Sequence, residues 1–347
     1  MPEADHAVAA TPTNPAPTPV VARPGFGRVP RDHLPSLSVV IPCYNEAENL
    51  GVLLPRLQQV LSALVDDWEV ILVDDGSRDR TVELFEAWSG VPGFHAIQLS
   101  RNFGKEVALT AGLEASRGAA AVLLDADLQH RPELIPDMVA LWKQGYDVVY
   151  AVREHRRDES LFKRTGAKWF YRLMNIGGRF DIPPDAGDFR LMDRAAVDAL
   201  LSMPERNRFM KGLYAWVGFD SVEFTYVPQA RGAGRSSFRP LHLITLSIDG
   251  LTAFTTWPLR AVSLIGLGLA LLALIYGAYL VVDYLIYGNP VPGYTTIVVG
   301  LAMMSGIQLV ALGVLGEYVS RIFEEVKARP LYVVKHRAGR PLHEDRA

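Results

Sequence analysis

Asp125 and Asp127 flank a single alanine in the run DADLQ, which ends an apolar stretch from Ala119 to Leu124, and Gln129 follows two residues later. Residues i and i+2 of a strand share a face. The spacing therefore predicts two carboxylates on one side, which repel unless a cation joins them. Hard oxygen ligands suit Mg2+ or Mn2+ bridging a diphosphate, with Asp125, Asp127 and Gln129 as the metal ligands. Such a cation offsets the charge that develops on a leaving nucleoside diphosphate. D-x-D also occurs in ordinary solvated turns, so its weight here comes from the apolar strand ahead of it.

Two further polar runs follow apolar stretches: PCYNEAEN (Pro42 to Asn49) and DDGSRDRT (Asp74 to Thr81). Neither GxGxxG nor GxxxxGK[ST] occurs, which leaves out a dinucleotide fingerprint and a P-loop. Basic residues gather downstream. Between Ala151 and Pro240 there are 16 Lys/Arg against 11 Asp/Glu, in a chain of net charge −3. They include Arg153, Arg156, Arg157, Lys163, Arg164, Arg190, Arg206, Arg208, Lys211, Arg231, Arg235 and Arg239. A solvated face or attraction to anionic lipid explains some of them. The sharper reading is a pocket for phosphates, which Arg forks bind bidentately.

These groups need a scaffold. The pattern predicts strands at Leu37–Ile41, Trp68–Val73, His95–Leu99, Ala119–Leu124 and Asp147–Ala151. Helical spacing covers about 47–64, 79–88, 104–115 and 132–143. Near-continuous apolar strands alternating with amphipathic helices predict an α/β domain with a mostly parallel sheet covered on both faces. Ligands of such sheets bind outside the carboxyl ends of the strands, where the polar runs fall.

The composition, 49% hydrophobic with one Cys, excludes global disorder and an intrachain disulfide framework. The near-balance of charge argues against a dedicated nucleic-acid binder. Hydrophobicity is uneven along the chain. Residues 1–35 are rich in Pro, Ala and Thr and read as a disordered tail rather than a secretory signal, because Glu3 and Asp5 stand where a basic region belongs. A catalytic domain is expected over 36–240 and an interfacial amphipathic helix over 241–258. A transmembrane hairpin is expected over 259–319, with spans at about 261–282 and 292–316, and a cytoplasmic helix and tail over 320–347. No charge interrupts Ala261 to Val282, and a 22-residue helix reaches ~33 Å, enough for a hydrocarbon core of ~30 Å. Arg260, Arg321, Lys327 and Arg329 flank the spans while the turn carries only Asp283, so both ends are expected in the cytoplasm.

Together these residues resemble the GT-A glycosyltransferases of family 2, and more closely the polyprenyl-phosphate glycosyltransferases. VVIPCYNE, VDDGSRD, SRNFGKE, LDADLQ, GDFRLMDR, NRFMKGLYAWVGF, DGLTAFTTWPLR and GVLGEYVSRIFEEVKARPLYVV occur in that family's order, over about Ser38 to Val334. The resemblance implies a GT-A (Rossmann-like) fold and nucleotide contacts at Pro42, Tyr44, Glu46, Val73, Asp75, Asp125, Ala126, Arg153 and Lys211. It implies metal ligation by Asp127 helped by Asp125 and Gln129, and Asp188 as the usual candidate for catalytic base. Arg164 and Arg231 match positions near the sugar or lipid phosphate. The family's GxSK, whose Lys faces phosphate, reads GRSSF here, so Ser237 stands at that position and Arg235 or Arg239 is left to supply the charge.

The implied reaction is an in-line displacement at the anomeric carbon by a phosphate oxygen of the lipid, with inversion. Asp127, Arg164 and Asp188 are the residues expected to serve it. A phosphomonoester with second pKa ~6 is mostly dianionic at pH 7, so a general base is chemically optional. The expected partners are a nucleotide-sugar donor, UDP-linked by resemblance to bacterial members, and a polyprenyl phosphate, with undecaprenyl phosphate favoured. The expected setting is the bacterial inner membrane, as a multi-pass protein that self-associates into a homo-oligomer, a tetramer being one form. Two rival readings are a processive polysaccharide synthase, which needs a QxxRW motif that does not occur here, and a membrane scaffold without catalysis, against which Asp125, Asp127 and Asp188 stand.

Overall fold

Alternate side chains along each central strand are buried on opposite faces, and this sets the layers. A computed structural model describes residues 28–153, 186–206, 208–226, 257–287 and 293–339. Its strands are β1 (Leu37–Cys43), β2 (Trp68–Asp74), β3 (Phe94–Leu99), β4 (Ala120–Leu123), β5 (Val148–Arg153), β6 (Ala186–Asp193), β7 (Ser221–Tyr226) and β8 (Val334–Ala338). They form one sheet in the order β7-β5-β6-β4-β1-β2-β3-β8. The helices are α1 (Ala47–Leu64), α2 (Thr81–Ser89), α3 (Lys105–Ala115), α4 (Ile135–Lys143, entered through a 3-10 turn at Pro132–Leu134), α5 (Arg194–Leu201), α6 (Met210–Trp216), α7 (Trp257–Tyr287) and α8 (Tyr294–Lys327).

Val39, Ile41 and Leu72 face α1, where Leu50, Leu53, Leu54, Leu57 and Leu61 supply a fully buried stripe. Val40, Ile71, Val73 and Ile97 face the other way, onto Ala108 and Ala111 of α3 and Ala196, Val197 and Leu200 of α5. Small residues bring α3 close to the sheet. A Cβ at Gly112 would run into Val40, and another side chain there would lift α3 off β1.

The five predicted strands and four predicted helices are present within a few residues, but the sheet is mixed. β6 runs antiparallel between β4 and β5, and β8 antiparallel on β3. The segment 320–347, read as helix and tail, holds β8 at 334–338. Its sequence VKHRA has no apolar alternation because an edge strand faces solvent on much of its surface. Residues 28–35 are likewise not a loose tail. Arg28 pairs with Asp220 at 2.5 Å and Arg31 with Asp147 at 2.9 Å and Asp193 at 3.1 Å, their guanidinium groups lying over Tyr146 and Trp142. Composition cannot reveal such distant partners.

α7 and α8 have 31 and 34 residues, roughly 46 and 51 Å at ~1.5 Å per residue. Leu264, Leu271 and Leu285 on α7, and Leu301, Leu309 and Val326 on α8, are all more than half exposed. Among the described residues, Met303–Lys327 is long and apolar enough to cross a membrane. The interfacial helix expected at 241–258 lies outside the described residues up to position 256.

Candidate active site

The loops after β1 and β2 lock together through short polar side chains. Asn45, at φ 56°, accepts the N–H of Arg78 on Oδ1 (2.8 Å) and donates its own N–H to Ser77 Oγ (2.9 Å). Thr81 Oγ1 accepts the N–H of Glu46 at 3.1 Å, and Asp79 accepts that of Ala47 at 3.2 Å. This makes a fixed floor at the carboxyl ends of the strands. Tyr44 is exposed on it, Pro42 is half-buried, and the Glu46 carboxylate accepts the amide of Asn49 at 2.5 Å.

Asp75, an expected nucleotide contact, follows directly after β2. It is buried, and its two oxygens accept the backbone N–H groups of Phe103 (2.6 Å) and Gly104 (2.9 Å). Burial pushes its carboxyl up while those N–H groups pull it down. Asp75 thereby fixes the start of α3, whose first residue is Lys105. The side chains of Val73 and Ala126 are buried in the two core clusters.

Lys105 joins the site's two distant carboxylates. Its Nζ lies 2.7 Å from Asp125 Oδ1 and 2.7 Å from Asp188 Oδ2. The sheet explains the meeting. β4 and β6 are antiparallel with Leu123 opposite Arg190, and continuing that register past the end of β4 sets Asp125 opposite Asp188. For Asp188, burial favours the neutral acid, but Lys105, Lys211 and Arg190 outweigh it and hold the carboxyl well below its usual range. A carboxylate held so low is a weak proton acceptor.

Glu106 stands behind this pair. It accepts the N–H of Met210 at 2.7 Å, and burial, then the charge of Asp188, push its carboxyl up to about 7. Arg190 is buried with its guanidinium 3.4 Å from the centre of the Tyr214 ring. It donates to Gly187 O at 2.7 Å. Burial lowers the Arg190 pKa and raises that of Tyr214. Arg208, one of the basic residues gathered downstream, donates to the carbonyls of Met203 (2.7 Å) and Glu205 (3.3 Å) and so ties its own loop.

DADLQ leaves the sheet at Leu123, so the two aspartates do not share a strand face. Leu128 takes φ 62°, and the turn aims Asp125 at Lys105 while Asp127 accepts from Gln129 N (3.1 Å) and Nε2 (2.8 Å). The donor set still fits Mg2+ or Mn2+, since two hard carboxylates on one turn suit an ion completed by substrate phosphates. Among the described residues no three His, Cys, Asp or Glu side chains converge as an all-protein cage. Of the remaining expected residues, Arg153 ends β5, while Arg164, Arg231, Arg235 and Ser237 lie outside the described residues. Sequence reasoning missed the site roles of Lys105 and Glu106, although both stand in SRNFGKE. The available signal was their position in the first turn of the helix after β3.

Residues 38–201 match glycosyl transferase family 2. An uncharacterized glycosyltransferase of Synechocystis sp. is 44% identical over 299 residues, covering 86% of this chain and 94% of that protein. The SfII prophage-derived bactoprenol glucosyl transferase of Shigella flexneri is 40% identical over 300 residues, covering 86% and 97%. The prophage bactoprenol glucosyl transferase homolog of Escherichia coli K12 is 39% identical over 300 residues, covering 86% and 98%.

Proposed function

The chain belongs to glycosyl transferase family 2 and is a glycosyltransferase, and from that premise we propose that it moves a sugar, with inversion, from a UDP-sugar to a polyprenyl phosphate at a membrane surface. The observation that carries the reading is the meeting of Asp125, Asp188 and Lys105 at the carboxyl ends of the strands. The names of the bactoprenol glucosyl transferase relatives support the acceptor.

In this reading Asp125, Asp127 and Gln129 hold a Mg2+ or Mn2+, which when bound offsets the charge on the leaving diphosphate. Lys105 and Lys211 add positive charge beside it. The acceptor phosphate reaches the anomeric carbon already ionised. Asp188 holds Lys105 and orients the reactants rather than taking a proton, in keeping with its depressed pKa. Arg164, Arg231 and Arg235 are the candidates for the lipid phosphate.

The membrane anchor is part of the same proposal: two crossings, by α7 and α8, with the sheet domain on the cytoplasmic side of a bacterial inner membrane. β7 precedes these helices and β8 follows them, yet both belong to one sheet. An even number of crossings keeps β7 and β8 on one side of the membrane, which supports pairing a crossing by α8 with one by α7. The apolar residues exposed along both helices support lipid contact, and the flanking Arg and Lys support the orientation.

The test adds purified full-length protein to undecaprenyl phosphate with a panel of nucleotide sugars and Mg2+ or Mn2+. The expected result is a metal-dependent glycosyl lipid from one donor, abolished by Asp127→Ala. No glycosyl lipid from any donor overturns the reading.

A further inference from the structure

Lys105 is an unusual residue for its place. It is the first residue of α3, where the helix dipole disfavours a cation, yet its ammonium lies 2.7 Å from each of two carboxylates. An ammonium has three donors. Two are spent on Asp125 and Asp188, and the side chain is still 42% exposed. Asp75 secures the position by taking the N–H groups of Phe103 and Gly104 just before it.

We propose that Lys105 is the resident cation of the metal site, standing on Asp125 until donor and divalent ion arrive together. This rests on the reading of Asp125 and Asp127 as the ion's ligands. While the ammonium sits on Asp125 Oδ1, a divalent ion there meets a like charge and one carboxylate fewer, so the ion alone binds weakly. A nucleoside diphosphate changes the balance, because its oxygens attract both cations. Nζ then leaves Asp125 for the diphosphate and keeps Asp188, and Asp125 is freed for the ion. Lys105 thereby ties ion loading to donor loading and holds Asp188 in place throughout. Asp188 offers the ammonium a second anchor, so the exchange needs only a partial swing of a flexible side chain.

The measurement is Mn2+ binding to the purified full-length protein by electron paramagnetic resonance, alone and with UDP or GDP as the probe nucleotide. In wild type, nucleotide should strengthen Mn2+ binding, and Asp127→Ala should lose that binding. Lys105→Met should bind Mn2+ without nucleotide about tenfold tighter or more, the scale on which a neighbouring full charge shifts an ion equilibrium. It should also bind nucleotide more weakly. Lys105→Arg should restore the wild-type dependence on nucleotide. If the Met variant does not fold, Lys105→Gln gives the same comparison, since its amide still donates to either carboxylate without the charge. Nucleotide-free Mn2+ binding that is no tighter in the Met or Gln variant overturns the role of Lys105, with the metal site left standing by the Asp127→Ala result. Asp127→Ala binding Mn2+ as wild type does with both nucleotides overturns the metal-site reading and, with it, this inference.

Discussion

Asp75 accepts the backbone N–H of Gly104 at 2.9 Å and that of Phe103 at 2.6 Å, so a carboxylate at the end of β2 fixes the first turn of α3. Lys105 follows directly, and its reach to Asp125 and Asp188 depends on that turn. Asparagine at position 75 offers one carbonyl acceptor and sets an NH2 group against the other N–H. Asp75→Asn should cost about 1–3 kcal/mol for an unsatisfied buried group, read by thermal melting. Turnover should fall further than the lost stability explains, because Lys105 is released. Full turnover in a folded variant would show that Lys105 is placed by something else.

Gly76 should tolerate no side chain. Its φ is 74°, and a Cβ there would stand 2.7 Å from Arg101 C and from Asn102 N. Both neighbours are backbone atoms and cannot rotate aside. Gly76→Ala should lose about 1–3 kcal/mol of stability through strain of this kind, and it should push the 101–104 loop away from Asp75. Nucleotide binding and the melting midpoint should fall together. A variant that melts like wild type counts against the close approach.

The scaffold was legible wherever its signals were local. Leu50 to Leu61 repeat at helical spacing, and Val39, Val40 and Ile41 alternate between two buried faces, so α1 and β1 could be read directly. The polar runs do fall where β1, β2 and β4 end. The pairing of Asp125 with Asp188 was not legible, because it arises from β6 entering antiparallel beside β4, a contact between residues far apart in sequence. Lys105 was hidden for the same reason, since a first-turn lysine gains meaning only from the carboxylates across from it. β8 and the Arg28 and Arg31 anchors carry no apolar period at all, and each depends on a distant partner.

Asp188→Asn separates positioning from proton transfer. Loss of a general base costs roughly 10²–10⁴ in rate and leaves a rate that climbs with pH. Loss of one charged hydrogen bond to Lys105 costs about 1.5–3 kcal/mol, or on the order of ten- to a hundredfold. The Lys105, Lys211 and Arg190 charges hold Asp188 below the usual carboxylate range, so the smaller loss is expected. The pH profile should keep its wild-type shape between about pH 6 and 8. A variant rate that rises steeply with pH, where wild type is flat, would restore Asp188 as the base. Turnover equal to wild type would remove it from the machinery.

Glu106 should make the fold less stable as pH rises. Its carboxyl moves from 4.5 to about 7 in the folded protein, chiefly through burial and then through the charge of Asp188. Between those values the folded state holds a proton that the unfolded state has lost, so the contribution of Glu106 to stability is greatest below pH 4.5 and declines as pH climbs through 7. Glu106→Gln keeps an acceptor for the Met210 N–H and does not titrate. The stability of the variant relative to wild type should therefore increase across that window, by an amount on the order of 3 kcal/mol. A difference that stays constant with pH would mean that Glu106 ionises normally.

The shared sheet of β7 and β8 makes the membrane topology testable with very few reagents. Cys43 is the chain's single cysteine and is 2% exposed, so a membrane-impermeant maleimide should leave the wild-type protein unlabelled on either side. A cysteine introduced by Asn289→Cys lies in the sequence between α7 and α8, and one introduced by His336→Cys lies in β8. If both helices cross, the first should label from outside intact cells and the second only after the inner face is opened. If neither helix crosses, the two positions label from the same side. A single crossing puts β8 on the opposite side from β7 and cannot coexist with the pairing of β3 and β8. Labelling of His336→Cys from outside would therefore overturn the cytoplasmic placement of the sheet domain, since β8 pairs with β3 and the two share one side.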